Sequence, residues 1–430
     1  MRLGDLKLHW QILIALALAI LAGSLTGTDG AVFGLRFYDA YVFVGALFLN
    51  ALKMLIVPLV VSSIIVGIAG IGDSGDVGRL GGKTLLYYFT TSLLSILVGL
   101  FVVNLIAPGV INGHAAKGVI GLGGDVAEFA SKVEGKGASD IVEIFLRMIP
   151  TNIVSAAANG QMLGLIFFSL LFGFFLTRIG EPHAETLFSF WQGTFNVMMR
   201  ITDLVMKFAP LGVFALVAKV VASTGLAAFQ PLAWFFLSVV LALAIHMFVI
   251  LPLLLRLVGK VNPVNHFRAM FAALLTAFST SSSSATLPLT MDCVEKNAGV
   301  SNRTSSFVLP LGATVNMDGT ALYECVAAMF IAQAYGIELG FATQFTIVLV
   351  ALLTSIGVAG IPAASLVAIS IILATVGLPA EGIGLILAVD RVLDMMRTSV
   401  NVFSDSCGAV IIARLEGEEG VLGEPARSRA

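Results

Sequence analysis

Six side chains in one apolar stretch near the C-terminus carry the strongest chemistry of the chain: Asp390, Asp394, Arg397, Thr398, Asn401 and Asp405. Steps of four, three, one, three and four put most of them along one stripe of a helix. Isolated charges at the centre of a bilayer cost ~2.5–3.5 kcal/mol each on insertion scales, so this many on one face demand partners or a wet cavity. The planar fork of Arg397 matches a carboxylate as a lysine does not. Asp394, one turn back, is placed to hold an ammonium group. Thr398 and Asn401 suit a second carboxylate or the oxygen shell of an ion. Such a stripe suits a zwitterion with an additional acidic group. The plainer alternative is an internal Arg397–Asp394 salt bridge that only stabilises helix packing.

A second group is Asn316-Met317-Asp318-Gly319-Thr320, inside an apolar segment from about 305 to 332. Asn and Asp supply hard oxygen ligands, and Gly319 permits backbone unwinding that frees carbonyls. That is the ligand set a small alkali cation requires. Glu324 follows, alone among apolar neighbours. A carboxyl so placed is a candidate to pick up and release protons, or else a neutral acid hydrogen-bonded in a helix contact.

Two apolar stretches after residue 260 are interrupted where a spanning helix should be continuous. The first break is Ser279-Thr280-Ser281-Ser282-Ser283-Ser284-Ala285-Thr286-Leu287-Pro288. The second is Ser355-Ile356-Gly357-Val358-Ala359-Gly360-Ile361-Pro362-Ala363-Ala364-Ser365. Exposed to lipid, each freed backbone group would cost several kcal/mol, so the breaks must be buried or line an aqueous cavity. Paired interrupted segments are the best sequence pointer to a substrate site between inverted repeats. The plainer alternative is two small-residue helix contacts, with serines bonding back to their own backbone.

The elements that position these residues are membrane spans. Of 430 residues, 58% are hydrophobic and 12% charged, against roughly 25% charged in ordinary soluble domains. Lipid must therefore be the solvent over most of the exterior. Apolar runs of spanning length cover about 10–27, 41–71, 84–107, 160–177, 190–220 and 231–257, and the second is long enough to tilt or project. The N-terminus opens into the first of these without a small-residue cleavage site. A net charge of −2 and the lack of any basic run exclude nucleic-acid binding. Cys293, Cys325 and Cys407 have no framework spacing and read as small core residues. A Gly-rich polar segment at 108–140 reads as an extramembrane loop, and the charged tail at 415–430 as disordered. Arg2, Lys7, Arg178, Arg256, Lys260 and Arg268 place the N-terminus in the cytoplasm and the 108–140 loop outside.

Four motifs occur in the order and spacing of one known family: the serine-rich tip before Pro288, NMDGT at 316–320, the second tip ending at Ile361-Pro362, and DxxRTxxN at 394–401. The chain resembles, over essentially its whole length, the glutamate/aspartate transporters, the dicarboxylate/amino acid:cation symporter family. The resemblance implies an all-α polytopic inner (plasma) membrane protein of eight transmembrane helices and two re-entrant hairpins, with inverted repeats, forming a homotrimer. It divides the chain into first scaffold helices at 1–81, a third helix of the transport domain at 82–107, and the loop and further scaffold helices at 108–220. The transport core at 221–414 would move like an elevator, and the tail follows at 415–430. No organic cofactor is implied, only sodium or protons as coupling ions.

By that resemblance Arg397 binds the substrate's side-chain carboxylate and Asp394 its amino group. Asn401, Thr320, Thr398, Ser283 and Ser284 hold the main-chain carboxylate and neighbouring groups, and Val358, Ala359, Gly360, Ile361 and Pro362 form the gate. The implied sodium ligands are Asn316, Asp318, Asn401, Asp405 and the Gly312 carbonyl; Tyr88, Thr91 and Ser92; and the backbone of Ser355, Ile356 and Val358. Glu324 stands at the position of the family's proton-carrying glutamate. An extra arginine that some members carry is replaced here by Ser281 and Met395, so potassium counter-transport is not implied. Members taking serine or threonine lack the arginine, and those taking C4-dicarboxylates lack the aspartate. Having both Arg397 and Asp394 favours glutamate or aspartate, with C4-dicarboxylates or neutral amino acids as the alternative and an anion channel as the rival class. An enzyme is disfavoured: His9, His114, His183, His246 and His266 are scattered without ligand spacing, and no constellation meets the requirements of a catalytic site.

Overall fold

The computed structural model describes residues 8–69, 77–117, 146, 148–159, 161–225, 229–357, 364–379 and 382–423. It is predominantly helical. The first part of the chain forms α1 (Leu8–Thr26), α2 (Phe37–Ala69) and α3 (Val77–Ile106). Then follow α4 (Ile153–Ala158), α5 (Met162–Leu176), α6 (His183–Lys207), α7 (Ala209–Thr224) and α8 (Phe229–Gly259). At 33 residues, α2 is about 50 Å long, well beyond the ~30 Å of a hydrocarbon core. The run at 190–220, expected as one span, is two helices bent by 53° between Val205 and Ala209. Pro210 lies in the first turn of α7, where the missing N–H of a proline leaves no helical bond unmade. Among the described residues Phe37–Ala69, Leu80–Ile106 and Phe229–Gly259 are long and apolar enough to cross a membrane, and the bent pair makes a fourth candidate.

The all-helical expectation needs a small correction. Two antiparallel ribbons interrupt it, β1 (Ala31–Val32) with β2 (Leu35–Arg36), and β3 (Val110–Ile111) with β4 (His114–Ala115). The second turns on Asn112-Gly113, both at positive φ (51° and 79°), the pairing that a tight two-residue hairpin demands. The start of the 108–140 loop is therefore ordered backbone; residues 118–145 lie outside the described residues.

The C-terminal half alternates hairpins and long helices. A first hairpin consists of α9 (Pro263–Thr280) and α10 (Ser283–Asp292), followed by α11 (Asn302–Val315) and α12 (Asp318–Tyr335). The second interruption lies between α13 (Phe341–Gly357) and α14 (Ala364–Val376), followed by α15 (Ile383–Glu416). In α12 every residue except Gln333 is buried. A helix without a solvent or lipid face is a core element, and α12 packs on α3, α8, α13, α14 and α15. Phe235 of α8 stacks on Phe330 of α12 at 4.7 Å between ring centroids. Outward-facing apolar side chains such as Leu47, Met54, Phe101, Leu105 and Phe271 are exposed, as a lipid solvent allows.

The expected disorder of the tail does not hold for residues 415–423. Helix α15 runs to Glu416, and Val421 is fully buried. Glu418 accepts hydrogen bonds from the Ser301 N–H (2.8 Å), the Ser301 hydroxyl (2.7 Å) and the Thr304 hydroxyl. A carboxylate there satisfies donors at the start of α11 and favours its positive dipole end. Residues 424–430 lie outside the described residues.

Candidate functional site

The break between α11 and α12 builds the centre of the site. Asn316 and Met317 leave helical geometry (φ −111°, ψ 98° and φ −122°, ψ 62°). The unwinding therefore falls before Gly319, where the sequence had suggested that residue would permit it. Gly319 has a different job: a Cβ there would lie 2.8 Å from the Arg397 carbonyl oxygen and 3.1 Å from its Cα. Only glycine lets α12 and α15 approach so closely. The Gly319 N–H donates to Asn401 Oδ1 at 2.8 Å, and Asn401 Nδ2 donates to Thr320 Oγ1 at 3.2 Å. Asn401 of α15 thus caps the start of α12.

Around this break lies a buried oxygen cluster drawn from α3, α11, α12 and α15. Asn316 Nδ2 donates to Asp405 Oδ1 (2.9 Å) and to Ser404 Oγ (3.2 Å). Asn316 Oδ1 accepts from Ser92 at 3.4 Å and Thr91 at 3.5 Å on α3. Ser92 also donates to Asp318 Oδ1 at 2.8 Å, and Ser404 to Asp318 Oδ2 at 2.6 Å. Asn316, Asp318 and Asp405 are at most 3% exposed. The Tyr88 hydroxyl donates to the Val308 carbonyl at 2.6 Å and lies beside Gly312. The structure thus brings together Tyr88, Thr91, Ser92, Gly312, Asn316, Asp318 and Asp405, which the sequence spreads over more than three hundred residues. Among the described residues, oxygens in such number around two buried carboxylates form a set suited to a hard monovalent cation.

The charged end of the stripe lies further along α15. Arg397 is 1% exposed, and its Nη2 reaches Asp390 Oδ1 at 3.0 Å and Asp394 Oδ1 at 3.1 Å. Its guanidinium lies over the Tyr323 ring, 3.9 Å from the centroid, an attraction that strengthens out of water. The internal pair considered from sequence is therefore present, yet it does not consume the group. Nε and Nη1 are buried and without a hydrogen-bond partner among the described residues. Buried donors left open are costly, and Nε and Nη1, which point to different sides of the guanidinium, each call for an anionic acceptor such as a carboxylate oxygen.

The remaining predicted residues fall as follows. The Thr398 hydroxyl bonds back to the Asp394 carbonyl at 2.8 Å. At the first hairpin tip, Ser281 turns the chain at φ 51°, Ser282 caps α10 through Ala285 N–H, and Ser283 and Ser284 open that helix. The hairpin packs on α15, where the Ser399 hydroxyl donates to Leu274 O at 3.3 Å. Glu324 is 1% exposed and accepts from the Thr354 hydroxyl of α13 at 3.0 Å, apart from the oxygen cluster. Ser355 bonds to its own helix at Leu352 O. Val358, Ala359, Gly360, Ile361 and Pro362, with the side chain of Ile356, lie outside the described residues.

Several members of the site escaped the sequence reading. His246 Nε2 lies 3.0 Å from Asp318 Oδ2, both side chains fully buried. A π-helical stretch, His246–Ile250, begins at that histidine; such irregularities mark functional positions. The Ser95 hydroxyl donates to Asp318 O at 2.7 Å. Tyr323 and Ser404 sit beside Glu324 and Asp405 in sequence, but Tyr resembles core and Ser is too common to single out. A lone histidine within an apolar span was the one available signal.

Comparison with known proteins identifies the family. Residues 8–415 match the sodium:dicarboxylate symporter family. The chain is 37% identical over 413 residues to the proton/sodium-glutamate symport protein of Bacillus caldotenax, covering 96% of this chain and 95% of that one. It is 36% identical to the proton/glutamate-aspartate symporter of Escherichia coli K12, over 95% and 93% of the two chains. It is also 36% identical to human excitatory amino acid transporter 3, over 96% and 87%. These relatives are transporters, not enzymes. With broken helices, a buried guanidinium and a cation-type oxygen cluster all on the segment that matches, the chain belongs to the sodium:dicarboxylate symporter family.

Proposed function

We propose that this multi-pass membrane protein is a secondary active symporter that takes up L-glutamate or L-aspartate, driven by sodium, protons or both. The observation that carries the reading is Arg397, buried with Nε and Nη1 open while Asp390 and Asp394 hold its Nη2. The relatives named for glutamate or aspartate symport support the same substrate class. Arg397 would take the side-chain carboxylate and Asp394 the ammonium. Thr320, Thr398, Asn401, Ser283 and Ser284 would surround the main-chain carboxylate, beneath a gate at 358–362. Sodium is cargo here, held by Asn316, Asp318, Asn401, Asp405 and the Gly312 carbonyl, by Tyr88, Thr91 and Ser92, and by the backbone at Ser355, Ile356 and Val358. Glu324 would carry a proton.

Eight spans, two re-entrant hairpins and inverted repeats account for the paired hairpin-then-helix order of the C-terminal half. In this reading α3 and the segment from α8 to α15 form the moving unit, the other helices form a trimeric scaffold in the plasma membrane, and the N-terminus faces the cytoplasm. The test is uptake of labelled L-aspartate and L-glutamate into proteoliposomes under separately imposed sodium and proton gradients. Concentrative uptake supports the carrier, and the effective gradient identifies the coupling ion. Uptake that never exceeds equilibrium would instead mark a channel. Accumulation of succinate or serine with neither acidic amino acid would move the assignment to dicarboxylates or neutral amino acids.

A further inference from the structure

Arg391 has no part in the roles assigned above. It lies one turn before Asp394 on α15, and its Nη1 is 3.1 Å from Asp394 Oδ2. The other oxygen, Oδ1, faces Arg397 Nη2 at 3.1 Å. Asp394 is thus held between two guanidinium groups, one oxygen for each. The two are unlike. Arg397 is 1% exposed, covered by Tyr323 and also bound by Asp390. Arg391 is 23% exposed, and Asp394 is its one polar partner among the described residues. Its Nε is buried without a hydrogen-bond partner among the described residues, so among them Asp394 alone fixes the head group.

An ammonium and the Arg391 head group make the same demand: each only donates, and each needs a carboxylate oxygen. If Asp394 receives a substrate ammonium, Oδ2 is the oxygen not already committed to the buried arginine. We propose that Arg391 is a built-in competitor for the substrate's amino group, occupying Asp394 Oδ2 between transport cycles and giving way when the ammonium arrives. The inference rests on the acidic-amino-acid reading given above and adds a specificity-determining residue to it. Three physical points favour it. The i,i+3 spacing makes the contact local to one helix, so it forms and breaks without tertiary change. Tethering on the same helix gives the guanidinium a high effective concentration at Asp394, so it competes well despite a weak intrinsic pairing. Its partly exposed end regains water when displaced, which keeps displacement inexpensive.

The consequence is a selective one. Ligands with an ammonium must displace Arg391; ligands with the same two carboxylates and no ammonium need not. The test is calorimetric titration of the purified full-length protein with L-aspartate and with succinate, on wild type, Arg391→Gln and Arg391→Lys. The expected result is that Arg391→Gln binds L-aspartate roughly fivefold tighter, the scale of a partly exposed ion pair, and unloads it more slowly in exchange assays. Succinate affinity does not rise in that variant, and Arg391→Lys stays near wild type because its cation still reaches Asp394. Unchanged or weaker L-aspartate binding in Arg391→Gln overturns the proposal. A parallel gain for L-aspartate and succinate overturns it as well, because that pattern means general repacking of the site. If wild type binds neither glutamate nor aspartate, the acidic-amino-acid reading fails first and the role of Arg391 falls with it.

Discussion

Gly312 offers a sharp perturbation of the oxygen cluster. A Cβ at this position would lie 2.5 Å from Asp405 Oδ1 and 2.7 Å from the Tyr88 hydroxyl oxygen. Both distances are below any real carbon contact, and both neighbours are held: Asp405 by Asn316 and Tyr88 by the Val308 carbonyl. Gly312→Ala therefore forces the carboxylate away from the position that would face a cation. Overpacking of a tight interior costs about 1–3 kcal/mol. At 1.4 kcal/mol per tenfold, that loss raises the sodium concentration for half-maximal uptake by roughly 5- to 150-fold. The assay is L-aspartate uptake into proteoliposomes across a sodium series, with the maximal rate recovered at high sodium. Gly67→Ala and Gly193→Ala serve as controls, because an added methyl meets nothing within 4 Å at either site. A Gly312→Ala protein that elutes and melts like wild type, with the same sodium dependence, would show that this cluster does not bind the coupling cation.

Other perturbations separate the remaining parts of the site. Arg397→Thr removes the carboxylate fork and leaves Asp390 and Asp394 facing each other. Acidic substrate uptake should vanish, and unaltered aspartate uptake in that variant refutes the substrate assignment. Glu324→Gln keeps the shape and the contact with Thr354 but removes a titratable carboxyl; it should flatten the pH profile of net uptake, and an unchanged profile ends the proton-carrier role. Glu418→Ala strips three donors at the start of α11 of their acceptor. A lost cap of this kind costs about 1 kcal/mol, so the melting temperature in detergent should fall by about 1 °C for a chain of 430 residues. An equal melting curve would mean that the buried Val421 and the Leu422 N–H bond to the Ala298 carbonyl (2.8 Å) hold residues 417–423 without the carboxylate.

Much of the architecture was legible because a bilayer permits few solutions. Runs of spanning length announced α1, α2, α3 and α8. The interruption at 279–288 announced a helix that stops inside an apolar region, and the motif at 316–320 announced an unwound stretch of backbone within another. The stripe on α15 followed from helical spacing, since Ile383–Glu416 is one uninterrupted helix and the period of a helix is local. The bend before α7 was less visible, because Pro210 sits in an otherwise continuous apolar run whose hydropathy does not register direction. The tail illustrates the opposite error. Charge and glycine suggested disorder at 415–423, but those charges find specific partners on α11 and on Lys83.

Residue types and local spacing by themselves determined that Arg397 and Asp394 share a helix face, that Asn316–Thr320 interrupts a span, and that a carboxyl stands alone at Glu324. Tertiary structure decided what each of them meets. Nothing local links Ser92 to Asp318, His246 to the same carboxylate, Tyr323 to the Arg397 guanidinium, or Thr354 to Glu324. These partners come from different helices, and their types are ordinary in apolar spans. Only close packing selects among the many hydroxyls and rings available, because a buried polar atom must find a donor or acceptor within about 3 Å wherever the fold places one. The same packing explains Gly312 and Gly319: in sequence they are two glycines among 44, and in the folded protein they are the points where a methyl group would push Asp405 and α15 out of place.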